Sequence, residues 1–178
     1  PVVITPDTAR NVPFRGALVY INDFEGKITK INLTNMTHEN GFDGGKQIEI
    51  FDQTQIFNTG SNNINQQYMF HSMDATIGTS TGALWLFAGT GNYERMAEKK
   101  GENLLLGIND RFYPNFRIIP PAARKGFNDL NECVDTSDDV TGIQCPKYPD
   151  KKGWYIELKD SKKVTAEPTV GSGLVAFP

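Results

Sequence analysis

The chain has 178 residues, of which 38% are hydrophobic and 22% charged, with a formal net charge of −3 at neutral pH. This length is typical of one domain with a sizeable core. The mixed, slightly acidic charge disfavours a nucleic-acid surface, and no run of 18 apolar residues predicts a membrane-spanning helix. Seventeen glycines and ten prolines favour many turns and few helices.

Short apolar and alternating runs predict strands along the whole chain. In chain order they cover Ala17–Asn22, Lys27–Leu33, Lys46–Phe51, Leu84–Ala88, Leu104–Ile108 and Trp154–Leu158. Asp23–Gly26 is predicted to form a turn and Asn58–Asn63 a loop. Helix is limited to two turns within Tyr93–Lys100, between two glycines. Residues 118–152, rich in Pro, Lys and Asp, are predicted to form an insertion.

A glycine-led apolar phrase occurs three times, as Gly16–Ile21, Gly82–Phe87 and Gly173–Phe177. Recurrence at a wide period indicates a repeat architecture, and the unequal spacing predicts insertions on a common scaffold. The second and third copies share a lead-in of an acidic residue, a small residue, Thr, a β-branched residue and Gly, in Asp74–Gly78 and Glu167–Gly171. Each lead-in with its strand predicts a hairpin. The order favours β-propeller blades, although a β-sandwich could also hold three hairpins.

Cys133 and Cys145 lie in a polar, Gly-containing stretch that is predicted to be a loop. A disulfide between them would stabilise the fold by roughly 3 kcal/mol on the chain-entropy estimate. It would also indicate an oxidising compartment, either the periplasm or the cell exterior. Two free thiols are the alternative, and zinc is disfavoured because no His lies nearby to complete a site.

The residues that could carry catalysis lie in unrelated contexts. His38 is in a polar loop and His71 precedes a strand, so we interpret them as a solvated and a structural histidine. Ser72 lacks the glycines of a nucleophile elbow. Gly89–Tyr93 is similar to part of a phosphate-binding loop but lacks its Lys-Ser/Thr ending, which favours a tight turn. No pair of carboxylates is marked out as an acid/base couple, and no catalytic residue is predicted.

An acidic set raises the hypothesis of a calcium site. Its members are Asp129, Glu132, Asp135, Asp138 and Asp139. The Asp-x-Asp-x-Asp-Gly spacing with a Glu at the twelfth position is missing, so a solvated acidic loop is favoured and no metal ligand is predicted.

Several phrases of the chain, in order, resemble the PilC/PilY family of type IV pilus biogenesis factors and tip adhesins. Phe87–Tyr93 is similar to the family's Phe-Gly-Thr-Gly-x-Tyr phrase, and Leu106–Asp110 to its Tyr-Gly-Ile-Trp-Asp phrase. Cys145-Pro146 with Gly153–Leu158 resembles the Cys…Gly-Trp-Tyr-Leu-Asp-Leu segment. Further similar stretches are Tyr20–Ile28 and Lys163–Val170.

The resemblance implies the C-terminal β-propeller region of a large secreted protein. We therefore expect an all-β fold over residues 1–178, a single incomplete propeller with about three blades' worth of antiparallel strands, at roughly 40–50 residues per blade. The chain begins at Pro1, which we interpret as a processed or excised piece. Open blades expose strand edges, so the remaining blades or another chain would complete the ring.

The implied function is non-catalytic. The family acts at the bacterial surface, outer membrane or pilus tip, supports pilus extension against retraction, and contributes to adhesion and virulence. Its partners are major or minor pilins and host or abiotic surfaces.

The chain departs from the family at Asn22, which replaces Gly, and at Asn109, which replaces Trp. The family's calcium loop is missing here, so no cofactor is predicted. The alternative is a fragment of a quinoprotein-type propeller dehydrogenase, whose blades share the Asp-x-x-Gly turn of Asp23–Gly26.

Overall fold

The structure is a computed structural model that describes residues 1–5, 16–34, 42–43, 46–47, 49–78, 82–99, 101–132, 134–136, 142–144 and 152–178. Within these ranges the protein is all-β, with antiparallel sheets and almost no helix, as the sequence predicts. Three single-turn 3₁₀ helices cover Tyr93–Arg95, Arg124–Gly126 and Leu130–Glu132. The strands are β1 (Val2–Ile4), β2 (Gly16–Asn22), β3 (Lys27–Thr34), β4 (Phe42–Asp43), β5 (Lys46–Gln47), β6 (Gln53–Asn58), β7 (Asp74–Ile77), β8 (Leu84–Gly89), β9 (Asn103–Asp110), β10 (Asn128–Asp129), β11 (Val134–Thr136), β12 (Gly142–Gln144), β13 (Gly153–Leu158), β14 (Thr169–Gly171) and β15 (Leu174–Ala176).

The first large sheet has the order β1-β2-β3-β6, and every neighbouring pair is antiparallel. The turn between β2 and β3 is closed by hydrogen bonds from Gly26 N to Asp23 O and from Lys27 N to the Asp23 carboxylate, each 3.0 Å. Gly26 has φ +73°, a conformation that glycine adopts without strain. A Cβ at this position would also collide with the side chain of Thr59. The Asp-x-x-Gly turn therefore fixes the hairpin against the chain that follows β6.

The second large sheet has the order β7-β8-β9-β13-β10. The first four strands are antiparallel to their neighbours, and the two-residue β10 adds in parallel to β13. Most of the apolar run in β8 and β9 is buried, because these strands lie inside the sheet and pack on the first one. Gly107 of β9 faces Trp154 of β13 in the register, and the indole occupies the space that a Cβ at Gly107 would fill.

One hydrophobic core joins the two large sheets. It contains Leu18, Tyr20, Ile28, Ile56, Phe57, Leu84, Leu86, Leu104, Leu106 and Ile108, together with loop residues such as Met69, Phe116 and Phe127. The chain after β9 reinforces this junction, because Ala122 exchanges backbone hydrogen bonds of 3.0 Å with Ile56 and Asn58 of β6. The two sheets therefore share one core, and the described residues close neither a barrel nor a ring of sheets.

A third, smaller unit is the hairpin of β14 and β15. Its two-residue loop, Ser172 and Gly173, has positive φ at both positions, as a type I′ turn requires. The Asp74 carboxylate of β7 accepts a 2.7 Å hydrogen bond from Val170 N, which fastens the hairpin to the edge of the second sheet. Both hairpins predicted from the shared lead-ins are confirmed.

Five of the six strands predicted one by one are confirmed within a residue or two, and the sixth is wrong. Among the described residues of Lys46–Phe51, Lys46–Gln47 is strand and Glu49–Phe51 is not; there the chain turns around Asn32, whose amide donates to Glu49 O at 2.9 Å. The edge position is taken by β6, which starts two residues later. The predicted helix within Tyr93–Lys100 reduces to one 3₁₀ turn.

Candidate functional site

A buried charge cluster lies between the two large sheets. Lys30 Nζ of β3 and Asp110 Oδ2 of β9 are 2.7 Å apart, and both side chains are 2% exposed. Tyr20 of β2 donates its hydroxyl to the same carboxylate oxygen at 2.7 Å. Lys30 also donates to Asn115 O at 2.7 Å, and Phe112 N donates to Asp110 Oδ1 at 3.0 Å.

Burial changes how these groups hold protons. Desolvation lowers the pKa of Lys30, and the neighbouring Asp110 carboxylate opposes that effect. Burial also raises the pKa of Tyr20 far above its ordinary value, and the charge of Asp110 raises it further. The side chains of Lys30 and Asp110 are almost completely buried, and each binds partners within the protein. The cluster therefore joins the two large sheets.

An open groove of about 590 Å³ lies where the β2–β3 turn meets the loops after β6 and β8. We call it the amide groove; it is lined by Phe24, Gln66, Tyr68, Phe70, Asn92 and Glu98. Its volume falls within the roughly 300–1,000 Å³ typical of ligand pockets. It is thus large enough and open enough to admit a small ligand.

Asparagine side chains hold the loop that forms one wall of the groove. Asn62 Oδ1 accepts from Ile64 N at 2.8 Å and from Asn65 N at 3.1 Å, and Asn65 Oδ1 accepts from Asn62 N at 2.9 Å. These Asx-type bonds replace a regular backbone ladder. The loop is joined to its neighbours by Gly91 N, which donates to Tyr68 O at 2.9 Å. The predicted loop at Asn58–Asn63 is therefore an ordered wall.

Gln66 occupies the most constrained position in the groove. Its side chain is buried, with the residue 6% exposed, and its φ is +51°, in the left-handed region that favours glycine. Its Nε2 donates to Glu98 Oε2 at 2.9 Å, and Arg95 Nη1 donates to Glu98 Oε1 at 3.0 Å. The Gln66 side chain is thereby fixed against the opposite wall.

Two acceptor oxygens beneath the groove have no donor. Gln66 Oε1 and Asn92 Oδ1 are buried and make no hydrogen bond within the described part of the chain. A buried acceptor without a partner costs roughly 1–3 kcal/mol. These two oxygens therefore favour any ligand that brings hydroxyl or amide donors to this place.

The other face of the groove is aromatic. The rings of Phe24 and Phe70 lie 5.0 Å apart at an angle of 51°, and the Tyr68 hydroxyl donates to Asn63 Oδ1 at 3.2 Å. Phe24 is 64% exposed, so much of its ring is open to solvent at the groove. The groove thus combines apolar ring faces with unpaired amide oxygens.

Two of the features considered from the sequence, His71 and the glycine-rich phrase, make contacts within the fold. His71 packs edge-on against Tyr93 with ring centroids 5.3 Å apart. Its Nε2 is buried, and it has no partner among the described residues. Thr90 in the glycine-rich phrase is buried and accepts a 2.8 Å bond from Leu104 N, so the phrase closes a turn against β9. His38 lies outside the described residues.

Of the acidic set, Asp129 has a described side chain, and its contacts are structural. Asp129 accepts the Tyr155 hydroxyl at 2.6 Å and Asn131 N at 2.9 Å. Burial acts to raise the pKa of Asp129, but these hydrogen bonds outweigh it and the pKa is lowered. Asp138 and Asp139 fall outside the described residues, and the side chains of Glu132 and Asp135 are not described. Across the described ranges, no three His, Cys, Asp or Glu residues form a group that could hold a metal ion.

The predicted disulfide remains a prediction. Cys133 and Cys145 both lie outside the described residues. The neighbouring residues that are described, Val134 of β11 and Gln144 of β12, face each other in an antiparallel pair.

The groove is a site that the sequence interpretation missed. The available signal was the stretch Asn58–Phe70, in which four asparagines, two glutamines and four aromatic or β-branched residues are interleaved. Such a composition predicts a loop, but it does not show which side chains are left without partners.

No protein-family model matches the chain, and comparisons with curated proteins and with solved structures give no match either. In the part of the chain that the structure describes, none of the helices has the length and apolar character needed to cross a bilayer.

Proposed function

We propose that this chain is part of a non-catalytic type IV pilus biogenesis and adhesion protein of the PilC/PilY kind, which supports pilus extension and surface attachment. One observation carries the proposal. The three phrases that resemble the family, in Phe87–Tyr93, Leu106–Asp110 and Gly153–Leu158, contribute to the adjacent strands β8, β9 and β13. Phrases distant in sequence therefore belong to one contiguous sheet.

The glycines within these phrases support the same interpretation. A Cβ at Gly89 would collide with Val164, one at Gly107 with Trp154, and one at Gly153 with the backbone of Gly107. Each glycine is thus required by close approach of the chain. The phrases that resemble the family therefore contain glycines that the close packing of the second sheet requires.

For the fold, we propose a partial β-propeller. The antiparallel order β1-β2-β3-β6, the antiparallel strands β7-β8-β9-β13 and the hairpin β14–β15 correspond to two four-stranded blades and the start of a third. Residues 118–152 would be an insertion in the second blade, stapled by Cys133 and Cys145. Further blades of the parent protein, or another chain, would then pair with the exposed edges.

A binding role accords with the chemistry of the site. The groove offers ring faces and amide oxygens, whereas Lys30, Asp110 and Tyr20 bind one another in the interior. The partners under this proposal are major or minor pilins and host or abiotic surfaces. The protein would be secreted and remain at the outer membrane, the cell surface or the pilus.

Localisation tests this proposal. In the bacterium that encodes the chain, an antibody against it is expected to detect the protein in the pilus fraction sheared from intact cells. A strain lacking the major pilin is the control, and its sheared fraction is expected to lose the signal. Detection only in the cytoplasm would contradict the proposal. A quinone absorption band in the purified parent protein would instead favour the dehydrogenase alternative.

A further inference from the structure

We propose that the amide groove binds a neutral saccharide, with the aromatic rings packing against the sugar and the unpaired amide oxygens accepting its hydroxyl groups. This inference names a ligand class for the surface-binding role proposed above. It rests on that role for one point, the biological source of the saccharide. The site itself depends on the groove's own geometry.

Two acceptor oxygens of the groove lining lack a hydrogen-bond donor, which a ligand could supply. Gln66 is only 6% exposed. Its Oε1 and the Oδ1 of Asn92 both lack a hydrogen-bond donor among the described residues. The Asn92 side chain makes no capping bond to the 3₁₀ helix that follows it. Its Oδ1 is therefore an acceptor in the groove lining that no described donor uses. A sugar carries several hydroxyl groups, each able to donate to one such oxygen.

The aromatic face matches the other half of such a ligand. Phe24 and Phe70 form a tilted pair, and Tyr68 also lines the groove. A pyranose ring presents C–H groups on one face and hydroxyl groups around its rim. The C–H groups can pack on the rings, whose faces carry partial negative charge. Rings and acceptors on one concave surface therefore suit a molecule that is apolar on a face and polar at its edge.

The charges of the groove disfavour an anionic ligand. Arg95 is the cation in its lining, and it is already paired with Glu98 at 3.0 Å. Glu94 adds a further carboxylate to the same lining. A carboxylate or phosphate would meet these two carboxylates and two acceptor oxygens, which repel it. A neutral ligand avoids this cost.

The full chain can be tested by saturation-transfer NMR with defined probes. Maltotriose, lactose and N,N′-diacetylchitobiose are the neutral probes, 3′-sialyllactose is the anionic probe, and calcium chloride is the cation probe. We expect at least one neutral probe to bind, with a Kd in the millimolar range that corresponds to about −4 kcal/mol. Phe24→Ala and Asn92→Ala should each weaken that binding about five-fold, as expected for loss of one ring contact or one acceptor.

Matched variants separate binding from folding. Ile64→Ala removes another exposed apolar side chain, which lies in the loop after β6, is 86% exposed and does not line the groove. It should leave the Kd unchanged. Asn92→Asp keeps the acceptor oxygen at Oδ1, replaces the amide nitrogen by a second oxygen, and should retain binding. Circular dichroism should show all four variants to be folded.

Three results would overturn the inference. They are the lack of saturation transfer from every neutral probe at about 10 mM, equal binding by wild type, Phe24→Ala and Asn92→Ala, and tighter binding of the anionic probe or calcium than of any neutral probe. Because these measurements use only the purified chain, their failure is distinct from failure of the pilus proposal, which is measured on cells.

Discussion

Lys30 of β3 and Asp110 of β9 form an ion pair that crosses the interface between the two large sheets, with 2.7 Å between Nζ and Oδ2 and both side chains 2% exposed. Each member of the pair has a further hydrogen-bond partner, because Tyr20 donates to Asp110 and Asn115 accepts from Lys30. Burying two charges is costly unless each has partners. The arrangement therefore determines how the two sheets are placed relative to each other.

Removing one charge of this pair should destabilise the protein strongly. Asp110→Asn leaves the Lys30 ammonium buried without a counter-charge, for which a loss of about 3–5 kcal/mol in the free energy of unfolding is expected. Urea denaturation followed by tryptophan fluorescence measures this change.

The double variant Lys30→Met with Asp110→Asn is the control for that experiment. It removes both charges and keeps a side chain of similar length at position 30, so most of the lost stability should return. If the double variant were as unstable as Asp110→Asn alone, an uncompensated Lys30 charge would not be the cause.

The Tyr20 hydroxyl should make the protein sensitive to alkali. Its pKa in the folded protein is raised above the unfolded value near 10. Its stabilising contribution is thus complete below about pH 10 and is lost as the pH rises further, by about 1.4 kcal/mol per pH unit. The free energy of unfolding, measured from pH 9 to pH 11.5, should fall more steeply for wild type than for Tyr20→Phe. Equal slopes would contradict this assignment, since Lys30 and the other tyrosines are common to both proteins.

Gly107 should not tolerate a side chain. Gly107→Ala would force a methyl group into the Trp154 indole, and overpacking of this kind costs about 1–3 kcal/mol. Gly171→Ala is the matched control, because nothing lies within 4 Å of a Cβ there and the residue is also in a strand. Urea midpoints compare the two. A Gly107→Ala protein as stable as the control would show that the indole is not packed on β9.

The two cysteines are expected to be oxidised to a disulfide in the secreted protein. Intact-mass spectrometry after alkylation under denaturing conditions should show no adduct without reductant and two adducts after reduction. Two adducts without reductant would show free Cys133 and Cys145 thiols. They would also remove the cysteine argument for an oxidising compartment.

The strands were predictable where one local signal decides the structure. Leu84–Ala88 and Leu104–Ile108 are nearly continuous apolar runs, and burial on both faces forces them to the interior of a sheet. Lys46–Phe51 has the alternating pattern of a strand, but Asn32 binds the backbone of Glu49 and Phe51 and turns the chain there. A contact between residues far apart in sequence thus overrode a local pattern.

The sites depend on long-range contacts and were not predictable. Nothing near Lys30 in the sequence indicates that it will face Asp110, which comes from a different sheet. Likewise, Gln66 and Asn92 are of interest because their side-chain oxygens lack a hydrogen-bond donor. That lack can be seen only once the loops are packed together. The sequence shows that such groups exist, whereas the fold decides which of them remain unpaired.

The central claim, a role in pilus extension, is tested most directly by counting surface pili on cells from which the gene for this protein has been deleted. We predict a large loss of surface pili, restored by a plasmid copy of the gene and also restored when the pilus retraction motor is deleted in the same strain. An unchanged number of pili in the single deletion strain, counted by electron microscopy, would contradict the account.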